Sequence, residues 1–191
     1  VLNEPEPLAE QFKNESIELL ISFGTSVIVP AWILDKPKLQ AVNLHAASPQ
    51  YPGRDPHHFA VYENAARYGA TLHCMTPEVD AGPIIGVEWF DVAEGTTPAN
   101  LLASANKVAI QLLEKHLPGL LIGNMAEPNP NLKWTGTKHS RKDFLDLCRI
   151  DPTMDEAEVL RRQRACQMPG YQNLYTNVYG KRFVLAELDD H

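Results

Sequence analysis

Asn43 and His45, two positions apart in Val42-Asn43-Leu44-His45, are the first residues of this sequence whose types and spacing suggest chemistry. Residues 39–45 read as a strand, and side chains alternate faces along a strand. Asn43 and His45 therefore point one way while Val42 and Leu44 point into packing on the other. An amide brings two N–H donors and a protonated imidazole another, a set suited to an oxygen that gains negative charge when a carbonyl is attacked. The same spacing also fits a plainer purpose, which is to satisfy backbone groups of the loop that follows. A third group, Asp80, lies in the turn-forming run Pro77-Glu78-Val79-Asp80-Ala81-Gly82-Pro83. A loop carboxylate beside an imidazole holds its cationic form or takes up a proton. His73 shares a strand face with Thr71, where it either lines the same crevice or serves a hydrogen-bonded structural role.

The elements that must position these groups alternate between helix and strand. A short helix over 7–15 leads to a largely buried strand over 16–24 that ends at a glycine. A turn-like segment over 30–34 precedes the strand 39–45. Residues 57–68 have helical spacing and stop at Gly69, read as a C-terminal cap. Strands over 70–75 and 84–92 flank the Asp80 turn as a hairpin-like pair. Thr97-Pro98 opens a long helix, with Thr as cap and Pro at the first helical position, and Leu101, Ala105, Val108, Ala109 and Leu112 form its apolar stripe. The order implies an α/β fold, and in open α/β sheets ligands bind beyond the carboxyl ends of strands. Composition divides the chain into a main domain over 1–123, a linker over 124–139 and a small C-terminal α+β module over 140–191. That module carries helices near 141–148 and 155–166 and a hairpin of 174–178 with 183–188. The chain opens on Val1, and its first strand has the character of an interior strand of a parallel sheet, so further strands are expected upstream.

Composition excludes several classes. The 191 residues are 44% hydrophobic with a net charge of -7, which argues against a phosphate-backbone or anionic-lipid partner. Cys74, Cys148 and Cys166 form neither a disulfide framework nor a CxxC pair, which points to a reducing, cytoplasmic setting. No apolar run approaches the roughly 20 residues of a membrane span. His57-His58 beside Asp55 raises a metal-dependent hydrolase, but adjacent residues diverge by about 100° on a helix and no HExxH is present, so no metal is expected.

Together Asn43-Leu44-His45, Ser48-Pro49-Gln50-Tyr51-Pro52-Gly53, Gly69-Ala70-Thr71-Leu72-His73-Cys74-Met75 and Val79-Asp80-Ala81-Gly82-Pro83-Ile84-Ile85 closely resemble the folate-dependent formyltransferase family. The resemblance spans roughly 17–123 and implies a Rossmann-like domain with a mostly parallel sheet. It implies formyl transfer from N10-formyltetrahydrofolate to an amine. Asn43 and protonated His45 would stabilise the tetrahedral oxyanion, and Asp80 would keep His45 charged and relay the amine proton. It also implies a donor site formed by Gly24, Val27, Ile28 and Val29 on one loop and by Thr76, Val79 and Asp80 on another. Ala46-Ala47-Ser48-Pro49 is one residue shorter than the usual continuation of the His motif.

Within the family, the runs Trp134-Thr135-Gly136, Ser140-Arg141-Lys142-Asp143-Phe144, Arg161-Arg162-Gln163-Arg164 and Gly180-Lys181-Arg182-Phe183 look most like the short tails of sugar N-formyltransferases. These formylate nucleotide-linked amino sugars, such as a dTDP- or GDP-4-amino-4,6-dideoxyhexose used in lipopolysaccharide O-antigen biosynthesis. From Lys133 onward ten Lys or Arg face nine Asp or Glu, a weak platform for tRNA, so methionyl-tRNA formyltransferase is the second reading. A formyltetrahydrofolate hydrolase and a non-catalytic module on the same fold stay open. A nucleotide-sugar substrate, no nucleic-acid or membrane partner, and a homodimer complete the expectation.

Overall fold

The computed structural model describes residues 10, 12–13, 16–25, 27–122 and 127–186. Most of the expected helix over 7–15, the boundary at Gly123 and the end of the expected second hairpin strand lie outside them. In order the elements are β1 (Leu19–Phe23), α1 (Ala31–Leu34), β2 (Gln40–His45), α2 (Pro56–Tyr62), β3 (Arg67–Cys74), β4 (Ile84–Asp91), α3 (Pro98–Leu121), α4 (Arg141–Leu147), α5 (Glu156–Cys166), β5 (Tyr175–Val178) and β6 (Lys181–Val184).

The first four strands form one sheet in the order β1-β2-β3-β4. β1 pairs with β2 in parallel, whereas β2–β3 and β3–β4 are antiparallel. The α/β class is as the sequence implies, and the described sheet is mixed rather than mostly parallel. Its cause is connectivity: residues 46–66 return the chain at the end where β2 left the sheet, and the turn after β3 reverses it again. β1 is also less enclosed than its apolar composition suggests, because Ile21 and Phe23 remain 37% and 38% exposed at the margin of the described sheet.

Two other boundaries differ from the sequence reading for identifiable reasons. α2 ends at Tyr62 rather than running to Gly69, and Asn64 takes the left-handed backbone (φ 53°) after it. Gly69 lies inside β3, where a Cβ would sit 2.1 Å from the Glu88 carbonyl oxygen, so the glycine permits close strand approach instead of capping a helix. In the tail hairpin Tyr179 and Gly180 both have positive φ (48° and 74°), a two-residue turn that starts β6 at Lys181.

α3 begins as expected, the Thr97 hydroxyl accepting from the Asn100 amide at 3.2 Å. Its stripe covers one sheet face: Ala109, Leu112 and Leu120 pack with Val42, Leu44, Ala70, Leu72 and Ile85. Burying this face leaves Asn43 and His45 on the opposite one. A second cluster joins Ala47, Tyr51, Phe59 and Tyr68 to Phe144, Leu147, Cys148, Ala165, Cys166 and Tyr175, so the tail elements share a core with the region after β2. Arg162 fastens this junction by donating to the Asp146, Leu147 and Arg149 carbonyls, and its Nε reaches Glu158 at 2.6 Å. Glu158 in turn accepts from the Tyr62 hydroxyl at 2.8 Å.

His57 and His58 sit in this junction with rings 4.4 Å apart. Among the described residues, no group of three or more His, Cys, Asp or Glu is arranged to hold a metal ion. Burial, with His58 close by, pushes His57 down to about 3. Its folded value therefore lies below its ordinary value, and the unfolded chain takes up a proton first as pH falls below about 6.5. We expect the melting temperature to drop as pH is lowered from 7 towards 4, and His57→Gln to flatten that dependence. Differential scanning calorimetry across this range checks it, and a slope equal in both proteins would refute the assignment to His57.

Candidate active site

Antiparallel pairing sets Asn43 opposite His73 and His45 opposite Thr71, so all four side chains share the sheet face away from α3. The turn between β3 and β4 then folds back over that face and delivers Asp80. Its Oδ2 lies 3.5 Å from His45 Nδ1 and its Oδ1 lies 3.4 Å from His73 Nε2. The three residues anticipated as a unit, Asn43, His45 and Asp80, are thus brought together, with His73 as a fourth member. The sequence reading had His73 only as a possible crevice residue. The signal that would have promoted it is register, since an antiparallel β2–β3 pair fixes His73 beside Asn43.

The site is tightly held. His45 Nε2 is 2.8 Å from the Tyr51 carbonyl, which can only accept, so Nε2 carries the hydrogen. That leaves Nδ1 facing the Asp80 carboxylate. His73 Nδ1 meets the Cys74 carbonyl at 2.8 Å by the same logic, and its Nε2 accepts from the Asn43 amide at 3.1 Å. One Asn43 hydrogen is engaged there; the second is available to an oxygen brought by substrate. Gly53 donates its backbone N–H to Asp80 Oδ2 at 2.8 Å.

Burial governs the charges. His45 and Asp80 side chains are 10% and 4% exposed. Burial lowers His45 below its ordinary value and outweighs the opposing pull of Asp80 and of the Tyr51 carbonyl. The resting imidazole is therefore neutral at pH 7, whereas the sequence reading had it protonated. Burial alone would raise Asp80, but the His73 and His45 imidazoles beside it and the Gly53 amide together hold it below the usual carboxylate range. Asp80 also adopts the left-handed backbone at φ 48°. Such strain costs about 1–3 kcal/mol and persists where the surroundings overdetermine it, here through both carboxylate oxygens.

A strap over 134–139 secures the loop that bears Tyr51 and Gly53. The Thr135 amide donates to the Pro49 carbonyl at 3.1 Å, His139 N to Pro52 O at 3.1 Å, and Arg54 N to His139 O at 2.9 Å. A Cβ at Gly136 would lie 1.6 Å from the Gln50 carbonyl oxygen, which no side chain permits. We expect Gly136→Ala to lower unfolding stability by about 1–3 kcal/mol, as forced displacement of packed backbone does. Urea denaturation monitored by tryptophan fluorescence measures it, and an unchanged midpoint would show that the strap moves without penalty.

Residues 2–117 match the family model described as formyl transferase. The chain belongs to the formyl transferase family. Methionyl-tRNA formyltransferase of Halorhodospira halophila is 28% identical over 176 residues, which cover 88% of this chain and 56% of that protein. That of Natranaerobius thermophilus is 29% identical over 178 residues, covering 91% and 55%. The chain thus spans about half the length of these curated relatives. A 4-N formyltransferase from Francisella tularensis has the same fold, with a TM-score of 0.79, 24% identity and coverage of 98% of this chain and 77% of that one. The N-formyltransferase of Helicobacter canadensis, solved with folinic acid and dTDP-3-aminofucose, aligns at a TM-score of 0.69 and 23% identity over 91% and 62%.

In this chain, parallel pairing of Ser22 with Asn43 and of Phe23 with Leu44 sets the loop after β1 at the sheet end where β2 finishes. Gly24 takes the left-handed backbone there, at φ 60°. Along this loop Val27 and Val29 are half-buried and Ile28 is 65% exposed. On the Asp80 turn, Val79 is 42% exposed, and the Thr76 hydroxyl donates to the Glu78 carbonyl at 2.8 Å. Both loops therefore offer apolar side chains without enclosing them in the core. Among the described residues, no helix is long and apolar enough to cross a membrane.

Proposed function

We propose that this protein transfers a formyl group from N10-formyltetrahydrofolate to the amino group of a nucleotide-linked amino sugar, in the cytoplasm, with Asn43, His45 and Asp80 as catalytic residues. The observation that carries the chemistry is the convergence of an uncommitted Asn43 amide hydrogen, the His45 imidazole and the Asp80 carboxylate over one sheet face. The donor set fits a formyl carrier: Asn43 presents a hydrogen to its carbonyl oxygen, while Ile28 and Val79 supply exposed apolar surface for a flat ring, with Gly24, Val27, Val29 and Thr76 beside them.

When the amine attacks the formyl carbon, Asn43 stabilises the oxyanion. Asp80 passes the ammonium proton to His45 Nδ1, and the resulting imidazolium is held between the Asp80 carboxylate and the Tyr51 carbonyl. Charge that is costly in the resting site is thereby stabilised in the transition state. Breakdown breaks the bond to N10 of the carrier, which takes a proton, and leaves the N-formyl sugar.

The choice of acceptor draws support from a sugar N-formyltransferase structure and from the N-formyltransferase solved with dTDP-3-aminofucose, each of which aligns over 91% of this chain, and from the nearly balanced charge of the tail. The curated relatives favour methionyl-tRNA as the second acceptor. Formyl transfer from N10-formyltetrahydrofolate to a panel of nucleotide-linked 4-amino and 3-amino sugars, with methionyl-tRNA in parallel, separates the two. Turnover with tRNA alone would replace the sugar reading.

A further inference from the structure

Trp134 belongs to neither hydrophobic cluster, yet it is half-buried. Its ring stands edge-on to His45 at 5.8 Å and to His73 at 5.1 Å between centroids. Its indole N–H donates to the Gly82 carbonyl at 2.8 Å. Gly82 is two residues from Asp80 and is pinned from behind as well: a Cβ there would lie 1.8 Å from the Cys74 carbonyl, and Cys74 N donates to the Pro83 carbonyl at 2.9 Å. One side chain from the strap thus touches both histidines and ties the turn that carries the carboxylate. Filling space would require only the ring; the directed N–H is what links it to the turn.

We propose that Trp134 is a positioning residue that sets the His45–Asp80 geometry and keeps water from the His45 ring. Its indole ring shields the imidazoles, and its N–H holds the 80–82 backbone so that both Asp80 oxygens stay on their partners. The proposal rests on the formyl-transfer reading for its effect on turnover, but its structural content stands apart from it. His45 is faced by Asp80 from the β3–β4 turn, by His73 from β3 and by the Tyr51 carbonyl from the loop after β2. Trp134 adds no charge to this set, so removing its ring acts through hydration, which raises a histidine that burial has lowered.

The test compares Trp134→Phe, which keeps a ring without the N–H, with Trp134→Leu, which loses both. Imidazole 1H–15N NMR titration and steady-state kinetics are recorded on each after circular dichroism confirms the fold. In Trp134→Leu the His45 titration should move up towards its ordinary value and kcat should fall at least about tenfold with KM little changed, the scale of one lost hydrogen bond or more. In Trp134→Phe the titration should stay near that of the unmodified protein while kcat still falls. If Trp134→Leu leaves both His45 titration and kcat unchanged, or if Trp134→Phe matches the unmodified protein in kcat, Trp134 only fills space. If the unmodified protein transfers no formyl group but the titration shift appears, the positioning role stands and the proposed reaction fails.

Discussion

Asn43→Ala should lower kcat for formyl transfer by about 10²–10³, the usual effect of removing one oxyanion donor, with little change in melting temperature. The amide meets His73 with one hydrogen, and its exposure is intermediate rather than buried, so truncation empties little core volume. The loss should fall on kcat and on kcat/KM, because the bond to the formyl oxygen strengthens as negative charge develops on it in the transition state. Asn43→Asp is the stricter comparison: nearly the same shape, but an acceptor set beside Asp80 where a donor is required. Near-normal turnover in both variants would remove the oxyanion role.

Asp80→Asn should reduce kcat/KM by about 10²–10⁴, the range associated with a lost general acid–base group, and should also move its pH profile. Asparagine tolerates the left-handed backbone that Asp80 adopts, so the turn is expected to survive. The sign follows from the charges. Burial holds His45 below its ordinary value while Asp80 pulls it back up. A neutral His45 is required to receive the proton, so activity falls as His45 becomes protonated, on the acid side of the ordinary histidine range. Without the carboxylate, His45 drops further and the acid limb shifts to lower pH. An acid limb that stays in place in Asp80→Asn would show that Asp80 does not set the state of His45.

Much of the site was legible because its cues are local. Alternation along one strand sets Asn43 and His45 on one face, whatever the sheet does next, and glycine with proline around Asp80 marks a turn. The apolar stripe of α3 and its Thr97-Pro98 start depend only on neighbours along the chain. Where reading along the chain misjudged an element, the deciding contact came from elsewhere. Gly69 looks like a helix cap until Glu88 is set against it, and the strand of Ile21 and Phe23 looks enclosed until its described neighbours are counted on one side only.

Sequence alone therefore determined the α/β class, the faces of the strands and the identity of three of the four polar groups at the centre. Only tertiary structure decided that β3 runs antiparallel to β2, which places His73 against Asn43, and that the 134–139 strap brings Trp134 over both histidines. It also decided the resting charge of His45, because burial of an imidazole is the sum of segments far apart in the chain. Spacing records which residues face the same way; protonation and register depend on what the rest of the fold packs around them.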